Sequence, residues 1–137
     1  MGAEGPLAGT ACLAALVALG CAASPSVPSQ AQSADRGARL FQQCYACHSV
    51  TAGETGLSGP NLAGVVGRPM AADPTFADYS PALRQAGGAG RVWSEAELHR
   101  YLSDPEAALP GTAMGYVGMR DARDRAVLIA WLRRGQP

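Results

Sequence analysis

The sequence predicts a small all-α domain, and three observations lead there. Apolar residues recur at helical spacing near both ends of the chain, in residues 35–47 and again from residue 121 onward. The stretch between them is punctuated by glycine and proline and carries no βαβ pattern. Aromatic residues make up only 6% of the 137 residues, thin for a core of this size unless a large apolar group completes it. The length argues for one domain. Formal charge is zero at neutral pH, so nothing points to a nucleic acid, and all eleven basic residues are arginine.

The first segment is of a different kind. Residues 7–23 carry no charge and read as the core of a signal peptide, because roughly 20 apolar residues are needed to span a membrane comfortably. Only Glu4 stands before it, where a basic residue is usual. Two processing schemes compete. Cleavage after Ala31 would use Ser29 and Ala31 as the small residues of the site. Alternatively, Ala18-Leu19-Gly20-Cys21 resembles a lipoprotein box, and Cys21 would become a lipid-anchored N-terminus. Either scheme takes the product out of the cytoplasm, to the periplasm or an equivalent compartment. Ala22–Ala34 is rich in Ser, Pro, Ala and Gln without periodicity, and is expected to be a disordered linker. Residues 1–31 are therefore expected to hold the targeting segment and the start of the linker, 32–34 the rest of it, and 35–137 the folded domain.

From Asp35 to Cys47 the pattern predicts a helix that Asp35 caps. Gly37, Leu40, Phe41 and Cys44 share one face. Glycine inside a helix costs about 1 kcal/mol relative to alanine, so Gly37 implies another element lying close against the backbone.

This helix leads into Cys44-Tyr45-Ala46-Cys47-His48. Cys-x-x-Cys-His is the attachment signature of a c-type haem. Each sulfur adds across a haem vinyl group, and the histidine can give an axial nitrogen to the iron. About one helical turn brings both thioethers and the imidazole to the same porphyrin. The competing readings are a redox cysteine pair, which wants a βαβ context, and half a zinc site. Outside this stretch only Cys12, Cys21 and His99 could complete a zinc site.

Ser49–Pro74 is loop-rich, and within it Gly59-Pro60-Asn61-Leu62 follows His48 closely. Gly87-Gly88-Ala89-Gly90 reads as a turn. Ser94 starts a short helix, with Glu97 completing a capping box. Leu98, Tyr101 and Leu102 share its inner face, and His99 points outward beside Arg100. Ala107–Gly118 holds Pro110, Gly111, Gly115 and Gly118 and should be a loop. The last helix follows Asp121. Asp121 and Asp124 in its first turn and Arg133 and Arg134 in its last suit the helix dipole. Leu128, Trp131 and Leu132 form its apolar stripe, and Gly135 ends it.

Four blocks taken in order resemble the class I cytochromes c, of the mitochondrial and related bacterial type. They are Cys44–His48, Gly59–Arg68, Phe76–Leu83 and Trp93–Met114, and the likeness runs from about Asp35 to Arg134. The resemblance implies first and last helices that cross, with loops wrapped around one covalent haem c and its iron. It implies that Trp131 is the element lying against Gly37. His48 would be the fifth ligand, its other ring nitrogen bonded to the Pro60 carbonyl. The sixth is chosen among His99, Met70, Met114 and Met119. Met114 is favoured, because Pro110-Gly111-Thr112 lets a loop carry its sulfur inward, whereas Met119 is expected to pack in the core. Arg68, Tyr79 and Trp93 match residues that meet the haem propionates, Thr112 can add a hydroxyl, and Tyr101 matches the tyrosine bonded to the ligand sulfur. About four extra residues between Arg68 and Trp93 depart from the family pattern.

The function implied is single-electron transfer by a monomer that docks its redox partners transiently at an exposed haem edge. The alternative is a cytochrome subunit of a periplasmic dehydrogenase or oxidase; a haem peroxidase would need an open sixth site and a distal acid–base group. The basic ring of lysines familiar around the haem edge of the family is missing.

Overall fold

The computed structural model describes residues 29–135, together with residues 1, 2 and 5. The expected signal core at 7–23 and the Cys21 anchor lie outside the described residues. Among those described, five helices and no strand form the domain; one isolated β-bridge joins Pro69 and Val92.

Helix α1 covers Gln30–Phe41. It starts five residues before the Asp35 expected to begin it and ends before the cysteines. Ser29 is the cap: its Oγ accepts from Gln32 N at 3.3 Å, and Gln32 Oε1 accepts from Ser29 N at 2.9 Å. This reciprocal box satisfies two orphan amides, so the polar stretch 30–34 is helix rather than linker. The helix thus reaches back into the stretch expected to be linker. At the other end the coil tightens. Gln42, Gln43 and Cys44 donate to carbonyls three residues back, and turns carry the chain on to Cys47.

Helix α2, Pro81–Gly88, was not foreseen. Ser80 Oγ accepts from Leu83 N at 3.2 Å and Pro81 stands in the first turn, a pairing favourable to helix starts. Gly87 and Gly88, read as a turn, are its last residues. Gly87 is there because a Cβ would strike the Met70 carbonyl. Helix α3 is Glu95–Ser103 and α4 is Pro105–Ala108, so the expected loop from 107 begins just inside α4. The capping box of α3 is half made. Ser94 Oγ takes the Glu97 amide, but the Glu97 carboxylate goes to Arg91 and Arg100 instead.

Helix α5, Ala122–Arg134, is capped by Asp121, whose Oδ1 accepts from the amides of Arg123 and Asp124. It packs on α1 and on α3. Leu128, Ile129, Trp131 and Leu132 are buried. At the α1–α5 crossing Trp131 lies over Gly37, where an added Cβ would collide with the Trp131 Cβ and ring. The Phe41 and Trp131 rings sit 5.2 Å apart beside it. An Arg36–Asp124 ion pair ties the two helices at their solvent side. These contacts leave one concave face of α1, α3 and α5 turned toward the loops between them.

Candidate functional site

That face is one wall of a cavity of about 430 Å³. Cys44, Cys47 and His48 stand on one side, with Pro60 behind His48; Arg68, Tyr79 and Trp93 line it as well, and Tyr101, Thr112 and Met114 complete the group. All ten residues singled out in the sequence thus line a single cavity. The remaining lining is mostly apolar, from Phe41, Leu62, Val65, Leu83, Leu98, Leu102, Leu128 and Leu132. Met70 and Met119 are buried elsewhere in the core, and neither they nor His99 reach the cavity lining. Met119 N donates to Leu102 O at 2.7 Å, which holds it beside α3.

His48 is placed by three features. Its amide donates to the Cys44 carbonyl at 3.0 Å, at the end of the turns after α1. Its Nδ1 lies 2.7 Å from Pro60 O. A carbonyl can only accept, so Nδ1 carries the proton and Nε2 keeps its lone pair. Burial pushes the His48 pKa below the ordinary histidine range, against the opposing pull of the Pro60 bond, which keeps the ring neutral and fit to ligate. Gly59 is the third feature. A Cβ there would stand 2.5 Å from His48 Cε1, so only glycine lets the loop close over the ring. Gly59 opens the Gly59–Arg68 block that the sequence singles out, and its contact with His48 is what the fold adds.

Cys44 is half-buried and Cys47 exposed, both as free thiols. Burial, and then the neighbouring Cys47, push the Cys44 thiol up to about 11. Cys44 is therefore a neutral thiol at physiological pH.

Across the cavity, Met114 stands in an irregular stretch after Gly111, whose φ of +83° only glycine adopts easily. The Tyr101 hydroxyl lies 2.5 Å from Thr112 Oγ1. Burial raises the Tyr101 pKa, and the Thr112 bond works the other way. Of the two hydroxyls one donates to the other, and the remaining proton is available to the cavity.

The region of extra residues holds a polar network that sequence reasoning missed. Asp73 is buried at 6% exposure. Its Oδ2 accepts from Asn61 N at 2.7 Å, and its Oδ1 accepts from Thr75 N at 2.9 Å and Thr75 Oγ1 at 2.7 Å. Asp73 N donates to Tyr79 Oη at 3.1 Å. Asn61 Nδ2 donates to the carbonyls of Thr51 and Glu54. Arg68 donates to the carbonyls of Asn61, at 2.7 Å, and Ala63. Tyr79 accepts from a backbone amide, so its own O–H proton remains to be donated. Arg68 likewise keeps further N–H groups beyond the two it uses. Donors left over at the wall of an apolar cavity are what a partly buried carboxylate requires.

Free thiols, a neutral imidazole and a thioether on the walls of one apolar cavity, in an all-helical frame, define a protein built around one large flat cofactor. The family model described as Cytochrome c matches residues 34–136, and the chain belongs to that family as a class I c-type cytochrome. It is 38% identical over 97 residues to cytochrome c2 of Agrobacterium tumefaciens, covering 71% of this chain and 86% of that one. With cytochrome c2 of Blastochloris viridis it shares 36% over 112 residues, 82% and 85% of the two chains. Among solved structures, cytochrome c2 from Rhodospirillum centenum superposes with a TM-score of 0.68 at 30% identity, covering 76% of this chain and 98% of that one. Cytochrome cH from Methylobacterium extorquens gives 0.65 at 34% identity, with 74% and 97% covered. The family's cofactor is covalently attached haem c with its iron, and its members are electron carriers. The residues here fit that group. The cavity is within the usual range of about 300–1,000 Å³ for ligand sites, its lining is apolar, and its donors are sulfur and imidazole nitrogen.

Proposed function

We propose that this protein is a single-electron carrier whose haem is held by thioethers from Cys44 and Cys47 and ligated by His48 and Met114. One observation carries the reading. The cavity that presents the two thiols and the His48 ring is also lined by Met114, and by neither of the other described candidate methionines in the folded domain. When bound, haem supplies an iron that cycles between two oxidation states. The chain's own residues keep that cycle at low reorganisation. Pro60 fixes the tautomer and plane of His48. Gly111 and Thr112 present Met114, and a thioether ligand raises the reduction potential relative to a second histidine. The apolar wall from α1, α3 and α5 excludes water. Arg68, Tyr79 and Trp93, with Thr112, offer donors to the propionates. With two protein ligands in place, no position is open to a substrate, which disfavours peroxidase chemistry.

The carrier works outside the cytoplasm in this reading, exported by residues 7–31, and meets its partners transiently as a monomer. No helix among the described residues is long and apolar enough to cross a membrane, so a tether would be the Cys21 lipid. The test is an absorption spectrum of the purified, periplasmically expressed protein with and without reductant. Low-spin bands and a sulfur-to-iron charge-transfer band are expected. Haem staining should survive a denaturing gel and vanish in the Cys44→Ala, Cys47→Ala double variant. Haem extractable by acidified solvent from the unaltered protein would refute covalent attachment.

A further inference from the structure

Two stretches at the cavity mouth, residues 43–47 and 113–117, carry no charged side chain. Between Arg39 and Arg68 the chain carries one charge, Glu54, and Glu54 is engaged by the Ser49 hydroxyl. Between Glu106 and Arg120 it carries none. These two stretches supply part of the rim of the opening, Ala72 and Asp78 being exposed elsewhere on it, and a hydrogen bond of 3.0 Å from the Tyr116 hydroxyl to Gln43 Oε1 joins the two stretches into one surface. Gln43, Cys47, Ala113 and Gly115 are exposed on it, and Val117 stands out from it at 92% exposure. Among the described residues the lining holds two charged side chains, both outside these stretches: Arg68, bonded to backbone carbonyls, and the exposed Asp78. Apart from Asp78, and from Glu106, whose Oε1 accepts from Gly111 N at 3.0 Å, the ion-paired charge lies on the helices. Arg36 pairs with Asp124, Arg91 and Arg100 with Glu97, and Arg133 with Glu95, all on the helices or just before α3.

Resting on the electron-carrier reading, we propose that the redox partner docks an uncharged, apolar face over the rim formed by residues 43–47 and 113–117. A partner with a strongly charged patch would lose the hydration of that charge against residues 43–47 and 113–117, which offer no counter-charge, and this is unfavourable. An apolar partner face loses nothing of the kind, and Val117 gives it an exposed side chain to cover. The interface is small and transient, and association proceeds without long-range steering, at about 10⁵–10⁷ M⁻¹s⁻¹. Its rate is accordingly insensitive to salt.

The experiment is stopped-flow oxidation of the reduced holoprotein. Two small oxidants of opposite charge come first, ferricyanide and tris(phenanthroline)cobalt(III). Each rate should change by less than about threefold as ionic strength rises from about 10 mM to about 0.5 M. Two blue-copper proteins follow, one with an apolar uncharged face around its exposed ligand and one with an acidic patch. The apolar one should react faster and keep its rate in salt. Val117→Glu, with its absorption spectrum taken as the check on an intact haem site, should slow that reaction by about tenfold. A faster reaction with the acidic protein, falling steeply with salt, would overturn the proposal, as would a Val117→Glu variant that reacts at the original rate. Failure to exchange an electron with either small oxidant would instead overturn the carrier reading, and this proposal with it.

Discussion

Asp73→Asn replaces one carboxylate oxygen by an NH2 group in a buried site where every neighbour is a donor. Asn61 N–H faces Oδ2, while Thr75 N–H and O–H face Oδ1. With the amide oxygen on the Oδ1 side, the Asn61 amide confronts NH2; with the amide flipped, Thr75 loses both bonds. The first arrangement is the less damaging, and it leaves one buried donor unsatisfied at about 1–3 kcal/mol. In a domain of roughly 100 residues each kcal/mol lowers Tm by about 4 °C or more, so a loss of about 4–12 °C is expected at neutral pH. Asp78→Asn, at an exposed carboxylate, should stay within about 0.5 kcal/mol of the unaltered protein. The pH dependence gives a second reading. Burial alone would raise the Asp73 pKa, but the Thr75 and Asn61 hydrogen bonds and the Arg68 charge outweigh it and hold it below the usual carboxylate value. A carboxyl with a depressed folded pKa adds stability above its unfolded pKa of about 3.9, and that stability is lost as pH falls through the folded value. The gap in Tm between the unaltered protein and Asp73→Asn should therefore be full at neutral pH and narrow below about pH 4. Thermal melts of the holoproteins across that range measure it. Equal melting temperatures at pH 7, or a gap that persists undiminished in acid, would refute the reasoning.

Met114→Ala should fold, because His48 and the thioethers remain, but lose the sulfur-to-iron band, lower the reduction potential and gain peroxidase activity. Met119→Ala should keep the band and lose at least about 2 kcal/mol of stability from the buried side chain; redox titration and spectra of both variants decide between the two methionines. Gly37→Ala should destabilise by a net of roughly 1–2 kcal/mol, because the collision of an added Cβ with Trp131 Cβ puts the overpacking at the upper end of about 1–3 kcal/mol and alanine recovers only roughly 1 kcal/mol in a helix, and an unchanged denaturation midpoint would contradict the close crossing. Mass spectrometry of the mature N-terminus should find cleavage after Ala31 or acylation at Cys21, and an intact Met1 in a cytoplasmic fraction would contradict export.

Features carried by neighbouring residues could be read from the chain. Cys44, Cys47 and His48 are close because one turn of backbone separates them, so their chemistry survives without knowledge of the fold. Asp121 capping α5, Ser94 capping α3 and the Leu128–Leu132 stripe are local in the same sense. Ser29 with Gln32, and Ser80 with Pro81, carried equally local signals for α1 and α2. A polar composition concealed the first, and Gly87-Gly88 concealed the second.

Long-range placement was decided only when the chain closed on itself. Gly37 could be seen to need a close neighbour, but the family resemblance, and then the α1–α5 crossing, identified it as Trp131. Three methionines of similar chemistry follow the haem motif, and folding brings Met114 to the cavity while it buries Met70 and Met119 elsewhere. Asp73 looks like an ordinary loop acid until Asn61, twelve residues earlier, presents its amide. The physical division is plain. Bond geometry and hydrogen bonding within a turn depend on a few adjacent residues and are written in their order, whereas burial depends on which distant segments exclude water together.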